Sequence, residues 1–132
     1  RLGRLQILDA TAWAHDRLLP WLTVSEPLGA ATVHPTCARR RLGLAPRLQA
    51  LAETLAEDVY VAPSATCCGF AGDKGFSTPE LNASALKELK EVVADCDYGV
   101  SNSRTCEIGL SEHSGLSYQS ILGLVDRASA PR

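Results

Sequence analysis

Five cysteines, at positions 37, 67, 68, 96 and 106, carry the chemistry open to this chain. Two of them are adjacent. The run Thr66-Cys67-Cys68-Gly69-Phe70-Ala71-Gly72-Asp73-Lys74-Gly75-Phe76 sets glycines at 69, 72 and 75 directly behind them. Neighbouring residues of a strand point to opposite faces. For both thiols to serve one point, the backbone must turn sharply, and Gly69 permits such a turn. The pair therefore reads as two ligands, or a redox couple, presented from a loop. The cysteine count is odd and no secretory signal is visible, so metal or redox use in a reducing compartment is favoured over a disulfide framework.

The elements that must position these thiols follow from the apolar pattern. Asp9 is a plausible N-cap for a helix over about 10–19, with Ala14, Leu18 and Leu22 on one side and an irregular end at Pro20. Trp13 and Trp21 read as packing residues and His15 as a surface or satisfied histidine. The run Leu5-Gln6-Ile7-Leu8 fits a short strand or a linker equally. Gly29 to His34 reads as a buried strand stopped by Pro35. A short helix follows from Cys37 to about Leu42, broken at Gly43, and Pro46 opens a second one. In that second helix Leu48, Leu51, Ala52 and Leu55 recur at helical spacing. Asp58 to Ala62 is a second strand, and the cysteine–glycine loop spans about 64–76. Thr78 and Pro79 open a helix to about 94, with Leu81, Ala85, Leu89, Val92 and Val93 turned inward. Asp97 to Ser101 is a third strand. Ser103 caps a helix over about 104–112, and a last helix over about 117–128 buries Tyr118, Ile121, Leu122 and Val125. Ala130-Pro131-Arg132 reads as a tail. Short strands alternating with helices predict an α/β fold: three layers, Rossmann-like, with a small parallel sheet and crossover helices.

On that scaffold Cys37, the Cys67-Cys68 pair and Cys106 each lie just beyond the carboxyl end of a strand. In an open α/β sheet this is the edge where sites form. Right-handed crossovers bring all three strand ends to one side, so four thiols from three loops can meet. Cys96 precedes its strand, at the opposite edge, and reads as a small buried hydrophobe.

Four thiolates can hold Zn²⁺ or an iron–sulfur cluster. The gaps are 29 residues (38 to 66) and 37 residues (69 to 105), with no paired C-x₂-C knuckles as in zinc ribbons. Adjacent thiols are awkward around one tetrahedral ion and suit a multi-iron cluster. Backbone N–H groups of the Gly69 loop could donate to its sulfurs. His34 stands three residues before Cys37, as a ligand, a neighbouring donor, or a strand-end histidine bonded to backbone. Ser103 and Arg104 flank Cys106 at a helix start, where a thiolate is favoured. Asp73 and Lys74 read as solvent-exposed.

The chain has 132 residues, of which 45% are hydrophobic, enough for the core of one domain. A net charge of −2 argues against a nucleic-acid footprint, and the run Arg39-Arg40-Arg41 reads as a solvated helix face. No apolar stretch reaches the roughly 18 residues of a membrane span. The chain has no methionine and begins at Arg1, so it is expected to be part of a longer protein.

The pattern Cys37, Cys67-Cys68-Gly69, Cys106 resembles the cysteine-rich CCG domain of heterodisulfide reductase B subunits and of glycolate and lactate oxidase iron–sulfur subunits. The runs 67–76, Pro-Glu-Leu-Asn-Ala-Ser-Ala (79–85) and Ser-Asn-Ser-Arg-Thr-Cys-Glu-Ile-Gly (101–109) are similar to the C-terminal end of FAD-linked D-2-hydroxy acid dehydrogenases, of the D-lactate and D-2-hydroxyglutarate type. The likeness covers most of residues 30–125. It implies a single CCG domain over 1–132, the C-terminal part of a larger flavin and iron–sulfur oxidoreductase. It implies a 4Fe-4S type cluster or zinc on Cys37, Cys67, Cys68 and Cys106, with His34, Gly69, Ser103 and Arg104 as supporting groups. FAD and ferredoxin-type domains would lie elsewhere in the polypeptide, with a quinone or cytochrome-side acceptor. No catalytic residue is expected here, and the domain alone should not oxidise substrate. A cytoplasmic location, or one peripheral to the inner membrane, follows from the same resemblance. The family pattern often ends Cys-x-x-Cys, and here Ser103 holds the first of those positions. One thiol of the fuller pattern is absent, which leaves a four-cysteine cluster, a zinc ion or an empty site open. A structural zinc module and a vicinal Cys67–Cys68 dithiol are the competing readings; a disulfide between neighbours strains the intervening peptide.

Overall fold

The computed structural model describes residues 2–131. Arg132, within the expected tail, lies outside the described residues. Leu5 to Leu8 is exposed coil rather than a strand. Asp9 caps α1 (Ala10–Trp13), its carboxylate accepting the N–H groups of Thr11 and Ala12, each at 3.0 Å. The helical path continues as a π-turn (Ala14–Leu18) and tightens into a 3₁₀ turn (Leu19–Trp21), where Pro20 withholds a donor. Thr11, Ala14 and Leu18, spaced i, i+3, i+7, face the core. Trp13 and Trp21 fall off that stripe and are 44% and 73% exposed, so the indoles are not packing residues. Asp9→Ala is expected to lower stability by about 1 kcal/mol, within the range of lost N-caps, measured by urea denaturation.

The chain then runs through β1 (Leu22–Val24), β2 (Leu28–Val33), α2 (Cys37–Arg41), α3 (Ala45–Leu55) and β3 (Ala56–Tyr60). After the cysteine loop come α4 (Lys74–Ser77), α5 (Pro79–Ala85), α6 (Leu89–Val92), β4 (Tyr98–Ser101) and α7 (Arg104–Ser114). β5 (Tyr118–Ser120), α8 (Ile121–Ala128) and β6 (Ser129–Pro131) complete it. β2, β3, β4 and β5 form a parallel sheet in the order β3-β2-β4-β5. The expected three-layer α/β fold is therefore present, with a fourth parallel strand that the pattern hides. Tyr118-Gln119-Ser120 was expected as a helix start; three residues are too few to show an alternation. The supposed tail pairs as β6 with β1, antiparallel.

The two faces of the sheet carry separate cores. On one, Val33 and Val100 pack with Leu48, Leu51 and Leu55 of α3 and Ile121 and Leu124 of α8. On the other, Leu86, Leu89, Val93, Leu110, Phe70 and Tyr118 gather around Cys68. The alternation of β4 divides them: Val100 faces the first, while Gly99 makes room for the Tyr118 ring, which a Cβ there would meet at 2.5 Å. The expected single helix over 79–94 breaks between α5 and α6. Its inward face is also rotated: Leu81 is 50% exposed and Ala85 is exposed, whereas Asn82 and Leu86 are buried. Leu122 likewise points outward, and Leu124 fills the core. Among the described residues, no helix is long and apolar enough to cross a membrane.

Candidate metal centre

The strand order reverses between β2 and β4: the chain steps outward from β2 to β3, then crosses back to β4. Such a switch point opens a crevice at the carboxyl ends of the strands. Here it is a cleft of about 530 Å³ lined by Cys37, Cys67, Cys68 and Cys106, with Arg39 and Asn102 among the other groups. Each cysteine arrives by a different device. Thr36 ends the extended segment after β2 and caps α2, its Oγ1 accepting Arg39 N–H at 3.4 Å, so Cys37 is the first residue of a helix. Ser103, at the N-cap position without a side-chain capping bond, and Arg104 open α7, three and two residues ahead of Cys106. The Cys67-Cys68 pair sits on the loop after β3, where Gly69 adopts φ of +70°.

That turn does not aim both thiols at one atom. It sends them to different partners within the same cleft. The Sγ atoms of Cys68 and Cys106 hydrogen-bond at 3.0 Å, well beyond the roughly 2.05 Å of a disulfide. Cys67 and Cys37, both exposed, form the outer pair, and the nearby Cys67 side chain raises the pKa of Cys37. Each inner sulfur is thereby joined to an outer one by charge as well as proximity: Cys68 raises the pKa of Cys37, and Cys37 that of Cys106.

The inner pair shares a proton unequally. The hydrogen bond with Cys106 draws the Cys68 thiol down to about 6 against its burial, helped by the Phe70 N–H. The same bond, with burial, pushes Cys106 far above the ordinary thiol range, and Ser103 only partly offsets this. Cys68 is therefore the thiolate, the form that binds metal. Cys37 is raised by the nearby Cys67 side chain and by burial, so it keeps its proton longer. Gly69 N–H donates to Cys67 Sγ at 3.4 Å, the loop donor expected for a bound thiolate.

His34 does not line the cleft but sits beside its two inner cysteines. It is 2% exposed, and one ring nitrogen with the sulfurs of Cys68 and Cys106 makes three ligand atoms within 4.8 Å of one another. Burial first, then the Arg40 charge, lowers its pKa to about 4, against a smaller opposing effect of the Ala65 backbone. The ring is neutral; the Ala65 backbone lies near it, but neither nitrogen makes a hydrogen bond of ordinary geometry. The donor set suits a metal. Around Zn²⁺ with Zn–S of about 2.3 Å, tetrahedral sulfurs stand roughly 3.8 Å apart. The Cys68 and Cys106 sulfurs, now 3.0 Å apart, would separate by under about 1 Å to reach that spacing.

The remaining expectations divide. Ser103 reaches the cleft and the Cys106 sulfur. Arg104 does not: its guanidinium side chain is 78% exposed and pairs with the buried Glu107 at 3.3 Å. Arg39 stands at the lip instead, held by Asp9 and by the Asn102 amide oxygen. The run Arg39-Arg40-Arg41 is thus only partly a solvated face, because an α2 starting at Cys37 turns its third residue back over the cleft. Cys96 is half-buried against the second core, away from the cleft, with its pKa raised by burial and by Asp95 and Asp97. Asp73 and Lys74 are exposed, as expected.

Asn82 was missed. It is buried, and its Nδ2 donates to the Cys68 carbonyl. Its amide lies over Gly109, where a Cβ would come within 2.5 Å of Nδ2. The signal was a polar residue at a core spacing in α5 and a glycine inside α7. Asn82→Leu is expected to leave the Cys68 carbonyl unsatisfied and lower stability by about 1–3 kcal/mol, read by urea denaturation.

Fold and cleft together define a three-layer α/β domain whose switch point holds a His/Cys group able to take a metal ion. Its family is that of the CCG cysteine-rich domain: the family model matches residues 31–111, and the chain belongs to it. That span runs from β2 through Cys106 and so includes all four cleft cysteines. Comparison with curated proteins and with solved structures finds no match.

Proposed function

We propose that the chain is the iron–sulfur electron-transfer domain of an FAD-dependent D-2-hydroxy acid dehydrogenase, related in type to D-lactate dehydrogenase and glycolate oxidase. The observation that carries this reading is the set of four thiols lining one cleft as an inner and an outer pair. A bound cluster supplies one-electron storage and transfer. The chain's own groups hold and tune it. Cys68 offers a preformed thiolate, Gly69 N–H donates to Cys67 Sγ, and Arg39 places a cation at the lip. The flavin chemistry belongs to an FAD domain of the same polypeptide, reached through ferredoxin-type clusters, with a quinone or cytochrome-side group as final acceptor. The runs 67–76 and 101–109 support this subtype. In the full-length protein, D-lactate or D-2-hydroxyglutarate should bleach the cluster absorption anaerobically. The isolated domain should show no bleaching with either acid. Full-length protein that holds an oxidised cluster and reduces its flavin, yet leaves this cluster oxidised, would remove the electron-transfer role.

A structural zinc site is the second reading, favoured by the compactness of the His34, Cys68 and Cys106 trio. Metal analysis separates the two: brown protein with iron and sulfide, or colourless protein with zinc. The vicinal dithiol reading has less support, since Cys68 faces Cys106 and Cys67 faces Cys37.

A further inference from the structure

We infer that the His34 imidazole is itself a ligand of the metal centre, completing with Cys68 and Cys106 the inner coordination for which Ser103 supplies no thiol. The inference rests on the metal-centre reading above and sharpens it, from an all-cysteine site to a mixed one.

Three observations carry it. First, both ring nitrogens of His34 are buried and neither makes a hydrogen bond of ordinary geometry, although the Ala65 backbone lies near the ring. Buried polar groups are nearly always paired, and leaving one unpaired costs about 1–3 kcal/mol. A histidine serving only as packing has no reason to bear that cost; a ligand does. Second, the main chain that carries the ring is held in place. The backbone at this residue is fixed on both sides: His34 N–H donates to the Val100 carbonyl at 2.9 Å, and the Ser101 hydroxyl donates to the His34 carbonyl at 3.0 Å. Third, one of its nitrogens and the two inner sulfurs all lie within 4.8 Å of one another.

The chemistry agrees. Neutral imidazole is the form that ligates metal. Ser103 stands where a further thiol would complete a Cys-x-x-Cys pair, but a neutral serine hydroxyl is a poor partner for soft, thiolate-seeking metals. Imidazole suits both zinc and iron. A neutral nitrogen in place of a thiolate also leaves the site one negative charge lighter. Where a cluster is bound, that substitution raises its reduction potential.

The test avoids replacing the buried residue. The chain has three histidines. His15 bonds the exposed Asp16, His113 lies in the last turn of α7, and neither belongs to the group formed by His34, Cys68 and Cys106. In the double variant His15→Gln, His113→Gln, His34 is the only imidazole. This protein is loaded in parallel with Zn²⁺ alone and, anaerobically, with iron and sulfide. X-ray absorption of the zinc form should show a nitrogen shell at about 2.0–2.1 Å, with imidazole scattering, beside sulfur at about 2.3 Å. Pulsed EPR of the reduced iron form should show directly bonded nitrogen. Either signature supports the inference. Loading with sulfur ligands alone in every form that loads overturns it and leaves the metal-centre reading standing. Failure to load with either overturns both.

Discussion

Cys68→Ser and Cys106→Ser are each expected to abolish metal or cluster uptake on anaerobic reconstitution, while Cys96→Ser takes up as much as the unaltered chain. The inner pair carries the largest effect because it holds a thiolate formed near neutral pH. Cys68 is drawn down to about 6 by its bond to Cys106, and removing Cys106 removes that stabilisation together with a ligand. Groups that merely support a ligand already cost 10–100-fold in affinity, roughly; loss of an inner sulfur should exceed this. Cys37→Ser and Cys67→Ser remove exposed thiols from the outer pair and should reduce uptake less than the inner variants do. Equal uptake by Cys37→Ser would show that four thiols are not all ligands. Iron, sulfide and zinc content per chain, with the visible spectrum, is the measurement. Cys96, half-buried against the second core and away from the cleft, is the internal control.

The second large effect falls on the turn that presents the pair. Gly69→Ala is expected to lower stability by about 2–5 kcal/mol and to cut metal uptake with it. Two costs combine. The backbone sits at φ of +70°, in the left-handed region, which a side chain occupies at about 1–2 kcal/mol. A Cβ there would also approach the Leu81 carbonyl oxygen to 2.6 Å and Ala85 Cβ to 2.8 Å. Both belong to α5, so the loop must lift from the helix, at about 1–3 kcal/mol for such overpacking. Gly72 separates the two costs. It has nearly the same angle, φ of +72°, with nothing within 4 Å of its Cβ position. Gly72→Ala should therefore show the conformational cost alone, about 1–2 kcal/mol. Urea denaturation of both variants measures the difference. Equal losses would mean that the contact between the loop and α5 does not position the cysteines.

Much of the architecture was legible because its signals are local. Leu48, Leu51, Ala52 and Leu55 recur at helical spacing and are buried in α3. Proline and glycine marked where elements begin and stop at 35, 43 and 79. Other elements failed where local signal was short or conflicted. Tyr118 to Ser120 is a strand only because Gly99 and Ser101 of β4 offer it a parallel partner. The face of α5 was misassigned because Asn82 is polar, and a pattern read by hydropathy ranks Leu81 above it. Only the cleft, where the Cys68 carbonyl needs a donor, turns Asn82 inward.

The cysteines divide in the same way. Their types, their spacing and their positions after strand ends are written in the chain, and these alone directed attention to one sheet edge and set Cys96 apart. How the four are paired was decided by the tertiary structure. Adjacent residues cannot aim two side chains at one atom without help, and the Gly69 turn distributes Cys67 outward to Cys37 and Cys68 inward to Cys106. Burial is a property of everything packed around a group, not of its neighbours in sequence. For that reason the thiolate character of Cys68, the cation at Arg39 and the two buried nitrogens of His34 became readable only once the loops after β2, β3 and β4 were brought together.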